Sequence, residues 1–193
     1  ETEFERVGYY DSAEFATLAI ESTTLPDEEV AEQVAELSEV DAEGVFLPTF
    51  ATGSTAGSVT TAARAAELAV FRLLEVGYEP TDVLHASGSA PLAPATRDET
   101  EAMGRTNDAL AYGGEVHLQV ARDDDRFDEI VSTAGEEYGT PFVEVFEDAD
   151  WDFYDVPESV FAPAQVTVDV VDGPVYTVGE TDEELLAESF GYR

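Results

Sequence analysis

The sequence predicts an α/β protein in which a mixed sheet carries βαβ units, helices pack on that sheet, and a β-hairpin lies near the C-terminus. Strand-like apolar runs alternate with helical patterns through the first half of the chain, an order typical of βαβ units with right-handed crossovers. Asp172-Gly173 separates two later strand-like runs, which is a hairpin signal. The hydrophobic fraction is 44%, with 11 Phe, 8 Tyr and one Trp, so the chain can build a core.

Short apolar runs predict the strands, and periodic patterns predict the helices. The predicted strands are residues 13–21, 44–50, 81–86, 115–121, 165–171 and 174–179. The predicted helices are residues 59–76, 99–112, 123–131 and 141–146, and a further helix opens at Pro26 with Val30, Val34 and Leu37 facing inward. No composition shift marks a boundary, so residues 1–193 are treated as one unit.

Residues 59–76 form the strongest helical pattern, which Gly77 and Pro80 end. The apolar stripe predicted to face the core is Val59, Ala63, Ala66, Val70, Leu73 and Leu74. Near the C-terminus, Thr181 and Glu184 have the spacing of a capping box, which predicts a short final helix.

The sign of the charge is the most unusual feature of the composition. The 44 acidic residues face 8 Arg and no Lys, which gives a formal net charge of −36. The charged fraction, 27%, is close to the usual quarter, so acids have replaced bases on an otherwise ordinary surface. Repulsion between carboxylates destabilises a compact state, and salt screens it. The composition therefore predicts a protein that needs high salt, potassium in a cell, for stability.

The same composition argues against several functional classes. Nucleic-acid binding is disfavoured, because neutralising phosphates requires clustered Lys or Arg. No apolar run reaches the roughly 18 residues of a membrane span, and no leader is visible, so we expect a cytoplasmic protein. Cysteine is absent, which leaves no thiolate for metal binding or catalysis.

Residues 52–58 (TGSTAGS) form a small-residue loop between a predicted strand and a predicted helix. Free backbone N–H groups at such a junction can hold an anion, and Thr52, Ser54 and Ser58 are candidate substrate contacts. The loop lacks the Lys of a phosphate-binding loop. The alternative is an ordinary turn in which Ser58 caps the helix.

Arg64 and Glu67 lie three residues apart, and so share one face of the predicted helix 59–76. Their neighbours are alanines, which would let a ligand or another segment approach the backbone closely. The pair could serve catalysis, or it could be a solvent-exposed ion pair worth about 0–1 kcal/mol.

Arg105, Asn107 and Asp108 cluster within residues 101–108 (EAMGRTND). Asn and Asp side chains can bind the amide-like edge of a heterocycle through paired hydrogen bonds. They could equally cap or turn a helix interrupted at Gly104. His85 and His117 lie in strand-like runs without further ligands at metal-binding spacing, so both are interpreted as structural and no metal site is predicted.

Taken together, several ordered segments resemble the methenyltetrahydromethanopterin cyclohydrolase family from end to end of the chain. They are residues 25–31 (LPDEEVA), 57–59 (GSV), 64–67 (RAAE), 90–94 (APLAP), 101–108 (EAMGRTND), 112–114 (YGG), 138–142 (YGTPF), 152–154 (DFY), 160–164 (VFAPA) and 188–191 (ESFG). The chain departs from the family at residues 50–52 (FAT) and at Thr140, neither of which touches the 64–67 segment.

The resemblance implies that the chain is the C-terminal portion of such an enzyme, with the family's N-terminal region lying outside these residues. It also implies that Arg64 and Glu67 are catalytic, that the enzyme is a homotrimer, and that a tetrahydropterin is the substrate with no bound cofactor. The reaction would hydrolyse the methenyl bridge of methenyltetrahydromethanopterin, or of a related folate, to the 5-formyl form. The alternative is a non-catalytic ligand-binding or assembly domain in which Arg64 and Glu67 are a structural pair.

Overall fold

The computed structural model describes residues 7–8 and 10–192. Its strands are β1 (Ala16–Thr17), β2 (Ile20–Glu21), β3 (Val45–Phe46), β4 (Thr49–Phe50), β5 (Val83–Ser89), β6 (Glu115–Val120), β7 (Gln165–Val170) and β8 (Val175–Gly179). The α-helices considered below are α1 (Glu28–Ser38), α2 (Thr55–Ala62), α3 (Ala65–Glu75), α4 (Glu99–Gly113), α5 (Phe142–Asp148) and α6 (Glu183–Ser189). Within the described residues, none of the helices combines the length and apolar character needed to cross a bilayer.

The main sheet is mixed and has the order β5-β6-β7-β8, which confirms the predicted fold class. β6 and β7 are parallel, whereas both outer pairings are antiparallel. The predicted C-terminal hairpin is confirmed as β7 and β8. Asp172 adopts the left-handed φ of 57° in its turn, beside Gly173, as tight hairpin turns require.

One face of the main sheet packs against α3. Alternate residues of β6 and β7 are buried on that face: Val116, Leu118, Val120, Val166, Val168 and Val170. α3 contributes Ala65, Leu68, Ala69 and Leu73 to the same core. Strands with every second residue buried thus pack against a helix whose buried residues are three or four positions apart. Burying each Leu side chain contributes about 2 kcal/mol to the stability of the fold.

The first βαβ unit is also confirmed. β1 pairs with β3 and β2 with β4, all parallel, and α1 lies in the crossover. The Asp27 carboxylate caps α1 by accepting from the Val30 N–H at 3.1 Å. Pro48 has no N–H to donate, which divides the second strand into β3 and β4. The inward stripe predicted for α1 fails at Leu37, which is 79% exposed, while Ala35 is buried.

Strands and helices continue to alternate after β4, but the next two strands do not form a parallel βαβ unit. The strand after α3, β5, pairs antiparallel with β6, and in the described structure β3 and β4 pair only with β1 and β2. The order of strands in a sheet depends on how distant apolar surfaces pack together. An alternation of strands and helices along the sequence does not specify that order.

Two helix predictions are wrong for the same reason: one predicted helix does not form, and another is capped by a different residue. The predicted helix 123–131 is a loop with a 3-10 turn at Phe127–Ile130, because the Asp124 carboxylate binds the backbone N–H of Arg126 at 3.0 Å. The final helix is capped by Asp182, which accepts from the N–H groups of Glu184 and Leu185, and not by Thr181. In both places an Asp carboxylate competes for backbone N–H groups that the predictions had assigned elsewhere.

Candidate active site

Arg64 lies at a break in the predicted helix 59–76. The chain forms α2 and α3 instead of one helix, and the Arg64 N–H bonds the Thr61 carbonyl at 3.0 Å in a tightened turn. The Arg64 carbonyl then accepts from the Leu68 N–H at 2.9 Å, which begins α3. Arg64 therefore occupies the N-cap position of α3, and Glu67 lies in its first turn, where the helix dipole favours a negative charge.

The break also changes which residues of this segment face the core. Val59 and Ala63, which were predicted to face the core, are exposed, whereas Ala65, Leu68 and Ala69 replace them there. Ala66, Val70 and Leu74 line a surface groove together with Glu67. The predicted stripe is therefore wrong at its N-terminal end, because one helical phase cannot be carried across the break.

Arg64 and Glu67 form a two-point ion pair. Arg64 Nε and Nη2 each donate to one carboxylate oxygen of Glu67, both at 2.9 Å. This fork geometry fixes the plane of the carboxylate as well as its position. The hydrogen bond from Arg64 lowers the pKa of Glu67, and the same bond raises the pKa of Arg64. The carboxylate is therefore ionised and directed, while the two side chains remain 50% and 59% exposed.

Glu21 and Thr52 extend this pair into a four-residue cluster. The parallel pairing of β2 and β4 aligns Glu21 with Phe50, two residues before Thr52. The Thr52 hydroxyl donates to the Glu21 carboxylate. The Glu21 charge also acts on Arg64 and helps to raise its pKa, after the larger effects of Glu67. Sequence reasoning missed Glu21, because the pairing of β2 with β4 that brings it beside Thr52 cannot be read from the sequence.

The loop that follows Thr52 starts α2 at Thr55. The Ser54 side chain caps the helix, accepting from the Gly57 N–H at 3.1 Å and donating to the Ala51 carbonyl at 2.7 Å. A Cβ at Gly57 would lie 2.4 Å from the Thr52 carbonyl oxygen, so only glycine permits this close return of the loop. The predicted cap at Ser58 is wrong by one helical turn. Ser58 lies inside α2, where it is buried and its hydroxyl has no hydrogen-bond partner within the described chain.

The groove beside Glu67 is open and mostly apolar. Its described lining also includes Phe71, Pro80 and Ala86, and its volume is about 630 Å³. Concave, largely apolar surfaces with a few polar groups are typical of small-molecule sites. The groove therefore combines the carboxylates of Glu67 and Glu75 with a concave, mostly apolar surface.

The other predicted contacts lie on α4, away from this groove. Asp108 is 3% exposed, and its carboxylate accepts from the Phe142 N–H at 2.9 Å and from the Ser189 hydroxyl at 2.6 Å. Asp108 thus ties α4 to α5 and α6, and burial raises its pKa. Contacts inside the described chain account for this carboxylate without a ligand.

Arg105 and Asn107 are also engaged within the protein. Arg105 pairs with Glu101 at 2.7 Å and donates to the Ser189 carbonyl at 3.2 Å. Asn107 donates to the Met103 carbonyl one turn earlier. α4 runs unbroken through Gly104, where Val143 of α5 packs so closely that a Cβ would meet it at 2.3 Å. As substrate contacts, Arg105, Asn107 and Asp108 stay predictions.

His85 and His117 lie on the exposed face of the main sheet. His85 faces Gln119 and His117 faces Ser87 across the β5–β6 pairing, so the two histidines are diagonal neighbours. Among the described residues, no group of three or more His, Asp or Glu side chains is arranged to hold a metal ion.

Comparison with known proteins identifies the relatives of this chain. Residues 1–190 match the sequence profile of a family described as Cyclohydrolase (MCH). A methenyltetrahydromethanopterin cyclohydrolase of Halobacterium salinarum is 56% identical over 191 residues, which are 99% of this chain and 61% of that relative. Proteins of the same name from Methanospirillum hungatei and Methanocaldococcus jannaschii are 38% and 39% identical over 98% of this chain. The chain spans 61% of the length of each of these relatives.

Proposed function

This chain belongs to the Cyclohydrolase (MCH) family, and from that premise we propose that it is part of an enzyme that hydrolyses the methenyl bridge of a tetrahydropterin. The substrate class is taken from the name of the relatives, methenyltetrahydromethanopterin cyclohydrolase. The observation that carries the proposal is the two-point contact between Arg64 and Glu67 beside an apolar groove.

In the proposed reaction, Glu67 is the general base. A methenyl bridge between two nitrogens is a cationic amidinium carbon that water can attack. Glu67 accepts a proton from the attacking water as its oxygen bonds to that carbon. One C–N bond then breaks, the departing nitrogen takes up a proton, and the formyl group stays on the other nitrogen. The cation and one water give a neutral formyl product and one released proton.

Arg64 is the positioning partner of that base. Its fork holds both carboxylate oxygens, so the lone pair that accepts the proton keeps a fixed direction. Its hydrogen bond, and after it its positive charge, lower the pKa of Glu67 and so favour the ionised carboxylate. Both effects act before the substrate arrives, and such preorganisation is what lowers the barrier for proton transfer.

The remaining parts of the proposal concern binding, assembly and environment. The proposed substrate contacts are Thr52 and Ser54 on the loop that leads into α2, Ser58 inside α2, and Arg105, Asn107 and Asp108 on α4. We propose a homotrimer in the cytoplasm of a high-salt cell, and the −36 charge together with the Halobacterium relative supports the salt requirement. Neither the comparisons nor the contacts favour the alternative of a non-catalytic assembly domain.

The direct test is the loss of methenyl absorbance when the complete protein is mixed with methenyltetrahydromethanopterin in high salt. We expect turnover with release of one proton per methenyl group, measured with a pH indicator. A complete, folded protein that binds the substrate without consuming it would support the non-catalytic alternative instead. Running methenyltetrahydrofolate in parallel distinguishes the two pterin classes.

A further inference from the structure

We propose that Glu21 determines the charge preference of this site, so that the cationic methenyl substrate binds in preference to the neutral formyl product. The inference rests on the proposed function and adds to it a specificity-determining residue. Glu21 lies 43 positions before Arg64 in the sequence, and only the pairing of β2 with β4 brings it to the cluster.

The backbone fixes Glu21 at the edge of the site. Glu21 is the last residue of β2, and the next residue, Ser22, donates its N–H to the Phe50 carbonyl at 2.9 Å. The chain on the partner side then continues into Thr52, whose hydroxyl donates to the Glu21 carboxylate. A hydrogen bond across two adjacent strand ends gives this exposed carboxylate a defined direction.

Charge counting shows what Glu21 adds. Arg64 and Glu67 carry opposite unit charges in close contact, so together they present almost no net charge to a ligand. Glu21, whose carboxylate accepts from the Thr52 hydroxyl, brings the formal charge of the three ionised residues Glu21, Arg64 and Glu67 to −1. Arg72, the next base along the chain, donates to the Glu129 carbonyl in the 3-10 turn Phe127–Ile130.

This charge matters because the reaction removes one positive charge from the pterin. The methenyl cation gains water and loses a proton, and the formyl product is neutral. A site with one excess negative charge therefore favours the substrate over the product, and product release follows from the chemistry itself. The Arg64–Glu67 pair, whose unit charges cancel, adds little to this preference.

The test compares two affinities in the complete protein. The KM for the methenyl substrate and the inhibition constant of the formyl product are measured in high salt for wild type and Glu21→Gln. We expect the ratio of the product's inhibition constant to the substrate's KM to fall roughly fivefold in Glu21→Gln, mainly through a higher KM. The change is modest because high salt screens the effect of a single charge. Glu43→Gln, which removes an exposed carboxylate from the 3-10 turn before β3, is the matched control and should keep the wild-type ratio.

A second variant covers the case in which Glu21→Gln does not fold. Thr52→Val removes the hydroxyl that directs Glu21 but keeps its charge, so the same ratio should fall by a smaller factor. An unchanged ratio in Glu21→Gln, or in Thr52→Val when only that variant folds, would overturn the inference. An inactive wild-type protein would contradict the proposed function instead, because the ratio presupposes turnover.

Discussion

Arg64 donates from Nε and Nη2 to the two carboxylate oxygens of Glu67, each at 2.9 Å. The contact depends on the break between α2 and α3, which places Arg64 before the first turn of α3 and Glu67 within it. An uninterrupted helix would also place the two residues on one face, but it would not free the Arg64 backbone for the tightened turn. The ion pair and the helix break are therefore one local structure.

Glu67→Gln should nearly abolish methenyl hydrolysis in the complete protein while substrate binding persists. Gln keeps the size of Glu but cannot accept the proton from water, and loss of a general base typically costs about 10²–10⁴-fold in rate. The measurement is the decay of methenyl absorbance at saturating substrate.

Asp124→Asn is the control for that experiment. Asp124 also pairs with an arginine, Arg126, at 2.7 Å, beyond the far end of α3. Its loss removes one carboxylate and one ion pair without approaching Arg64, so turnover should stay near wild type. Wild-type turnover in Glu67→Gln would refute the assignment of the base.

Arg64→Ala should move the acidic limb of the kcat/KM profile to higher pH. Arg64 lowers the pKa of Glu67, so the active carboxylate persists as pH falls, until that lowered pKa is reached. Without Arg64 the pKa of Glu67 rises, and the carboxylate is protonated at a higher pH. The measurement is kcat/KM against pH between neutrality and the acid limit of folding.

Arg64→Lys separates charge from direction in the same assay. Lysine keeps the positive charge but cannot form the two-point fork. The acidic limb should therefore stay close to wild type while kcat falls. If Arg64→Ala and wild type share one acidic limb, Arg64 does not control the ionisation of Glu67.

Asp108→Asn should fold at least as stably as wild type at neutral pH, whereas Asp108→Ala should lose about 2 kcal/mol. Burial raises the pKa of Asp108, so the folded state favours the protonated carboxyl and ionisation weakens folding as pH rises through that raised pKa. Asn can still accept from the Phe142 N–H, and Ala leaves that buried donor unpaired. Urea unfolding in high salt measures both variants.

The pH dependence distinguishes the two roles of Asp108. The stability difference between Asp108→Asn and wild type should shrink on acidification, when the wild-type carboxyl becomes protonated. A substrate contact would appear as a higher KM in Asp108→Asn with stability unchanged.

The protein should require about molar salt to fold, because the Debye length falls to about 3 Å at 1 M and so screens repulsion among 44 acids. The measurement is far-UV circular dichroism across a KCl series, with a NaCl series as the control for ion identity. A cooperative native spectrum at low salt, unchanged at high salt, would contradict the argument from self-repulsion.

The complete protein should sediment as a homotrimer in high salt. This expectation comes from the family resemblance and is measured by sedimentation equilibrium in KCl. Residues 1–193 should be run beside the complete protein. If only the shorter chain is a monomer, the contacts between subunits depend on the part of the family's length that residues 1–193 do not cover. A monomeric complete protein would contradict the prediction.

The sequence by itself determined the mixed α/β class, the C-terminal hairpin and the family, since these depend on local periodicity, turn residues and ordered motifs. It also placed Arg64 and Glu67 on one face, because a spacing of three residues is a property of any helix. The charge of −36 and the expectation of high salt likewise follow from composition alone.

Only the tertiary structure decided how the strands pair, where the long helix breaks and which acid joins the site. Glu21 contacts Thr52 across 31 residues, and that contact exists because β2 and β4 align in register. The sequence offered Asp108 either as a ligand contact or as a helix-capping residue, and only the packing of α5 and α6 supplied its partners Phe142 and Ser189. The physical reason is common to these cases: local patterns determine which face a residue occupies, whereas the packing of distant segments determines what that face meets.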